Sequence, residues 1–406
     1  MMYRSRFVVL AVALLVLVGM QAAFAAEVAG KFIVRFVPDP SAPQKGSSHK
    51  TIVSHLQQQL ERNLADQGKL GGAKILNKLW IINGVEVAAS PAQVATLKKN
   101  PRIASVTPVQ YRKYIDFGKP VEVKAEPGQV QWSIAKVRAP EVWKEFNIDG
   151  SGVIVGHLDT GVAANHPSLK GKVLAFRDFT PANKPESYDD QGHGTHTAGS
   201  IAASDGIGVA PGARLIVAKV FDRQGSAEDA WLLGAMQWVM DPDGNAETND
   251  GPALVSNSWG SDTTDDRTFW DIVKVWEAAD IVPVFAAGNN GPSGKCGTPA
   301  NFPHSWAVAA TTNKDGIAYF SSVGPSVWDG VTLTKPDIAA PGYGVISCST
   351  SGGLVSNMGT SMACPHVAGL AALMLQANPK LTIAEVRQIA EATAVDLALP
   401  ARITSS

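Results

Sequence analysis

"GVIVGHLDTG" (residues 152–161) sets the pattern from which the architecture of most of the chain can be read. A mostly apolar run closes on one carboxylate, Asp159, with Thr160-Gly161 directly after it. Runs of the same kind recur downstream as "RLIVAKVF", "ALVSNSWG", "IVPVFAAG" and "SWAVAATT". Helix-like segments such as "AEDAWLLGAMQWVM" and "FWDIVKVWEAA" alternate with them. Strands that are apolar on both faces and separated by helices predict an α/β fold. Its sheet is mostly parallel and twisted, with helices on both faces. In such sheets function collects outside the carboxyl ends of the strands, so the residues directly after the runs are the candidates.

Those residues are chemically capable. Asp159 ends the first run. "DDQGHGTHTAGSIAA" sets His193 between two glycines at the start of a small-residue helix, and "IVPVFAAGNNGP" ends on Asn289. "NMGTSMACPHVAG" (357–369) places Ser361 between a glycine-led turn and a small, apolar helix with Pro365 early in it. Each residue alone has a plain reading: a turn or cap for the Asp, turn chemistry for the Asn, an N-cap for the Ser. His193 and His196 lack a third ligand or an H-E-x-x-H pattern, so no metal is expected there. Taken together, the four supply an orienting acid (Asp159), a base (His193), an amide donor (Asn289) and a nucleophile (Ser361). A helix N-terminus beside Ser361 adds an outward-pointing backbone N–H.

Working outward, the N-terminal residues carry Arg4 and Arg6, then an uncharged apolar run from Phe7 to Met20, then Ala23-Phe24-Ala25. The run is shorter than the ~20 residues of a membrane span, which predicts a secretory signal over 1–25 and no membrane association after its removal. Residues 26–113 read as an α+β unit of order β-α-β-β-α-β, a ferredoxin-like arrangement. Within it, Asn83-Gly84 reads as a hairpin turn, and Ser90-Pro91 as the start of a helix. The polar residues 114–129 read as a linker, leaving 130–406 for the sheet-forming domain. Net charge is −1 with dispersed basic residues, which argues against nucleic-acid binding. Three cysteines leave at least one thiol unpaired; Cys296 with Cys348 is open as a bridge, and Cys364 sits among small apolar residues.

At "VGHLDTGV", "GHGTHTAG", "AAGNNGP" and "GTSMACPHVAG" the chain strongly resembles the subtilisin-like serine proteases, the subtilases. The order Asp, His, Ser is the family's. The likeness runs over about residues 130–395, and the 26–113 unit resembles the family's inhibitory propeptide. The resemblance implies a secreted (extracellular or periplasmic) endopeptidase made as a zymogen and autoprocessed. Its own propeptide would act as an intramolecular inhibitor, and peptides or proteins would be its substrates. It implies substrate contacts from Gly225, Ser226 and Ala227 on one edge of a cleft and from Ser258, Trp259 and Gly260 on the other. A peptide would add between them as a strand. Ala287, Gly288 and Gly297 would form walls and floor of the main side-chain pocket, favouring apolar or aromatic residues. Trp259 is also open to a plain packing role. No cofactor is implied for the chemistry. "AASDGIGVAPGARL" is short where many relatives carry a calcium loop, so a structural calcium has no site the sequence assigns.

Two other readings remain on the residues alone. A non-catalytic peptide-binding or inhibitory protein on a decayed scaffold is suggested by the short sequence after the Ser361 helix, where relatives continue with a Gly-rich strand and a last helix. A dinucleotide site is suggested by "GSGVIVG", but its glycines precede the strand and lack the G-x-G-x-x-G spacing.

Overall fold

The computed structural model describes residues 29–38, 47–67, 70–116, 118–124, 128–248 and 250–397. The expected signal, 1–25, lies outside them. The described residues divide into two compact units, one of residues 29–38 with 55–110, the other of residues 47–54 with 111–397.

The first unit has a four-stranded antiparallel sheet in the spatial order Lys74–Leu79, Gly84–Ala89, Gly30–Phe36, Ile103–Pro108. The helix His49–Gln67, from residue 55 on, and the helix Pro91–Lys98 complete the β-α-β-β-α-β order. The second helix starts as expected, with Ser90 accepting from Gln93 N and Pro91 at the first position. Val34, Val85, Val87, Leu60 and Leu97 form the core. The Asn83-Gly84 turn departs from expectation. The strand stops at Leu79, Trp80–Ile82 make a 3₁₀ turn, and Asn83 takes a left-handed φ of 48°. Strict alternation would turn one of the adjacent Ile81 and Ile82 outward; the tighter turn buries both.

The second unit is built on seven parallel strands, in the spatial order Ile338–Pro341, Trp306–Thr311, Val282–Ala286, Leu254–Asn257, Ile154–Asp159, Arg214–Lys219, Val173–Asp178. This is the sheet the apolar runs predict. Val155, Val217, Leu254, Val284 and Val308 are fully or almost fully buried. Each such side chain withdrawn from water favours folding by about 1.5–3 kcal/mol before entropy is counted. Helices His193–Ala202 and Thr360–Ala377 pack against one another. The second is apolar nearly all round and is buried accordingly.

The stretch read as a linker contains more structure than its polarity suggests. Within it Val121–Val123 pairs antiparallel with Leu354–Asn357, and just before it Tyr111–Lys113, read as the end of the 26–113 unit, pairs antiparallel with Ser226–Glu228. Backbone donors and acceptors seek partners whatever their side chains, so composition does not reveal an added edge strand.

Candidate active site

Asp159 is the last residue of its strand and is fully buried. Its Oδ1 lies 2.7 Å from His193 Nδ1 and accepts from Thr160 N at 2.7 Å. The Thr197 hydroxyl is 3.2 Å from Oδ2. Burial works against the charge of Asp159, but the facing His193 ring, its hydrogen bond, the nearby His157 and the Thr160 N–H hold its pKa below the ordinary carboxylate value. His193 opens the helix His193–Ala202 and is almost completely buried. His196 Nε2 lies 3.1 Å from the Val345 carbonyl.

The loop between the strand and that helix is tied by one residue. Asp189 accepts from the Gln191 and Gly192 N–H groups at 3.0 and 2.8 Å and from Thr195 N at 2.9 Å; the Thr160 hydroxyl donates to it at 3.0 Å. Buried Lys219 donates to Thr160 O and to Asp190, each at 2.6 Å. Neither residue stands out in sequence. Asp189 is visible only as an acid shortly before His193, and Lys219 only as the charge that closes an apolar strand.

Ser361 sits in the first turn of Thr360–Ala377. Pro365 has no N–H, so the Ser361 carbonyl loses its helical donor; the Ser258 hydroxyl replaces it at 2.9 Å. In return the Ser361 hydroxyl donates to the Ser258 carbonyl at 2.9 Å. Ser258 directly follows the strand Leu254–Asn257, which neighbours the Asp159 strand. Two adjacent strand ends therefore carry Asp159 and the residue that holds Ser361.

Asn289 follows the strand Val282–Ala286, and its Oδ1 accepts from Thr360 N and Thr360 Oγ1 at 2.9 and 3.0 Å. With the oxygen so engaged, Nδ2 is the donor end of the side chain. Gly359 has φ 152° and ψ 162°, a conformation essentially reserved for glycine. A Cβ built there would lie 3.6 Å from both Asn289 Nδ2 and Ser361 N, so the two donors flank one small space.

That space opens on a cleft of about 440 Å³, lined by Trp259, Gly260, Ala287, Gly288, Asn289, Gly297 and Ser361 among others. Ser258 is buried behind its wall. Gly297 has a backbone reason to be glycine: a Cβ there would stand 1.9 Å from the Ser261 carbonyl oxygen. Trp259 is 2% exposed and packs edge-on against Tyr114, Phe221, Phe269 and Phe285, so it is both wall and core.

Residues of the chain's own segment 112–116 line one side of this cleft or pair beside it. Lys113 and Arg112 face Ser226 and Ala227 in antiparallel register. Tyr114 N donates to Gly225 O at 2.9 Å, and Gly260 N donates to Tyr114 O at 3.2 Å. Tyr114, Ile115 and Asp116 continue along the cleft that contains Ser361.

All three cysteines are free and buried, so the open Cys296–Cys348 bridge is not formed. Burial pushes the Cys296 and Cys348 thiols up to about 12 and Cys364 to about 11. Among the described residues the carboxylates of Asp241, Asp243 and Asp250 converge within 4.8 Å. Several of their oxygens already accept from the Thr248 hydroxyl and from Asp243 and Asn245 N–H groups. No helix among the described residues is long and apolar enough to cross a membrane.

Comparison with known proteins assigns the chain to a family. Residues 150–404 match the model of the subtilase family, Peptidase_S8. The chain is 36% identical over 387 residues to Bacillopeptidase F of Bacillus subtilis, covering 86% of itself but only 26% of that protein. It is 32% identical over 333 residues to Subtilisin NAT of Bacillus subtilis subsp. natto, covering 80% of itself and 79% of the relative. A cold-adapted subtilisin-like serine proteinase of known crystal structure superposes with a TM-score of 0.53 at 32% identity, over 61% of this chain and 84% of the other. Strand-end acid, helix-start histidine and helix-start serine thus occur in a matched sequence frame, and the chain belongs to the subtilase family of serine endopeptidases.

Proposed function

We propose that the protein is a secreted endopeptidase, made as a zymogen, that hydrolyses peptide bonds through Asp159, His193 and Ser361. In this reading Ser361 Oγ leaves the Ser258 carbonyl and attacks the scissile carbonyl carbon as His193 takes its proton. Asp159 keeps the imidazole in the tautomer that can accept this proton, and stabilises the imidazolium that forms. The carbonyl oxygen becomes negative in the space beside Gly359, where Asn289 Nδ2 and Ser361 N donate to it. His193 then returns the proton to the leaving amine. Water repeats the sequence on the acyl-enzyme and releases the acid.

The observation that carries the proposal is the buried Asp159–His193 hydrogen bond of 2.7 Å, one strand away from the serine's anchor on Ser258. Residues 26–113 serve as the propeptide, and residues 111–116, seated along the cleft, act as an inhibitor until they are cut away. Gly225, Ser226, Ala227 and Gly260 hold substrate by main-chain pairing, while Ala287, Gly288 and Gly297 shape the main pocket. The chemistry needs no cofactor; a structural calcium would lie away from the short segment at 202–215.

The test is expression of the full chain with and without Ser361→Ala. The wild type should shorten by roughly the first 110–130 residues, label with a fluorophosphonate and hydrolyse casein. The variant should remain full length, and its rate should fall about 10⁶-fold, the magnitude established with a subtilisin's own nucleophile. A wild type that neither labels nor hydrolyses casein would leave a peptide-binding scaffold as the correct reading. Unchanged shortening in the variant would assign the cut to another protease.

A further inference from the structure

Beyond the reacting groups, the cleft has an acidic end. Tyr114 enters a pocket whose walls are Phe221, Trp259 and Phe269, with ring centroids 5.8, 5.8 and 6.2 Å from its own. Such a pocket would suit any apolar ring. At its base, however, stands Asp229, 4% exposed, in the first turn of the helix Asp229–Trp238. Its Oδ1 accepts from the Tyr114 hydroxyl at 2.5 Å. Its Oδ2 accepts from Arg112 Nη2 at 3.1 Å, and Arg112 Nη1 donates to Asp266. Burial, the largest influence on Asp229, raises its pKa, and the nearby charge of Asp266 adds to the rise; Tyr114 and Arg112 oppose it.

The register explains why these two side chains meet the same carboxylate. In an extended strand, residues two apart share a face. Arg112 and Tyr114 therefore point together toward Asp229, while Lys113 between them points to solvent. Both partners of the buried acid come from residues 111–116, the segment that lies where a substrate would lie. Once that segment is gone, the next occupant must satisfy the carboxylate or leave it unpaired, and an unpaired buried acceptor is penalised.

We propose that Asp229, with Asp266 beyond it, is a specificity-determining pair. It selects extended peptides that carry a tyrosine in the aromatic pocket and an arginine two residues before it, an Arg-x-Tyr pattern. The proposal rests on the endopeptidase reading above and adds to it a polar rule at a subsite whose walls are aromatic. A pocket of rings alone would take phenylalanine as readily as tyrosine.

The experiment uses the processed wild-type enzyme and quenched-fluorescence peptides with the sequence of residues 110–121. One peptide is native, one carries Tyr114→Phe, and one carries Arg112→Gln. The readout is the ratio of kcat/KM between peptides within one enzyme, so a general loss of activity cancels. A hydrogen bond to a charged group corresponds to a factor of roughly 10 to 100, and the native peptide should exceed the Tyr114→Phe peptide by that factor. In the Asp229→Asn enzyme the Tyr/Phe ratio should fall toward one. In the Asp266→Asn enzyme only the Arg/Gln ratio should fall, which keeps the proposal testable if Asp229→Asn does not fold. A wild-type Tyr/Phe ratio near one, or a ratio unchanged by Asp229→Asn, overturns the proposal while casein hydrolysis continues. Absence of casein hydrolysis and of fluorophosphonate labelling in the wild type removes the endopeptidase reading, and the substrate rule with it.

Discussion

Asp159 and Asp229 are both buried carboxylates at the ends of secondary-structure elements, yet their surroundings push them in opposite directions. Asp159 finds His193, Thr160 and Thr197 within the sheet-forming domain, and its pKa is held down. Asp229 finds Arg112 on an added strand and Tyr114 just beyond its end, and burial with Asp266 nearby holds its pKa up. The difference separates two kinds of buried charge. One is satisfied permanently by the residues that position it, and suits a step common to every substrate. The other is satisfied by whatever occupies the cleft, and suits discrimination between substrates.

The strongest way to break this contrast is Asp159→Asn. It should lower kcat by about 10⁴-fold on every peptide alike, because the imidazole loses its orienting acceptor. Steady-state kinetics on the native and Tyr114→Phe peptides should show the same ratio as the wild type. A change in that ratio, or a loss of less than tenfold, would mean that the two acids are not divided in this way. Next in size is Asn289→Ala, which removes a donor beside Gly359 and leaves the Asp159 network intact. Its kcat should fall ~10²–10³-fold with little change in KM, the range established for such a donor in a subtilisin. A rise in KM with kcat unchanged would recast Asn289 as a substrate-holding residue.

The smallest effect concerns stability. Burial lowers His196 and His366 to about 4, the bond from His196 to the Val345 carbonyl and the one from His366 to the Met362 carbonyl working the other way. Both are neutral in the folded protein down to that pH, whereas an unfolded histidine takes a proton near 6.5. Between those values the unfolded chain binds more protons, so stability is full above about pH 6.5 and falls as pH drops toward 4. The loss is on the order of a few kcal/mol for the two together. Thermal unfolding of the Ser361→Ala protein across this range should show it, and a flat Tm would refute it. Satisfied burial of Asp159 predicts a further loss only at still lower pH, as the acid passes through its depressed pKa.

Much of this was legible in the sequence, because strand order and strand ends are written in local patterns. "GVIVGHLD" gave a strand ending on Asp159, and the small-residue segments after His193 and Ser361 gave two buried helices. What escaped depends on pairing between distant residues. Pro365 could be seen as tolerable early in a helix, but not that Ser258 would donate in its place. Residues 114–129 read as a polar linker, and 111–113 as the end of the unit before it, since the strands Tyr111–Lys113 and Val121–Val123 exist only through the edges they join. Asp229 is not singled out by the helix-like segment "AEDAWLLGAMQWVM" that contains it. Only the register that sets Arg112 and Tyr114 on one face gives it two partners.

The three enclosed thiols carry a practical consequence. With their acidities suppressed by burial, hardly any thiolate is present at neutral pH, and alkylating reagents have no route to the sulfur atoms. Iodoacetamide should thus modify the native protein at none of the three and the opened chain at all of them, turning cysteine mass-tagging into a clock for global unfolding that needs no engineered label.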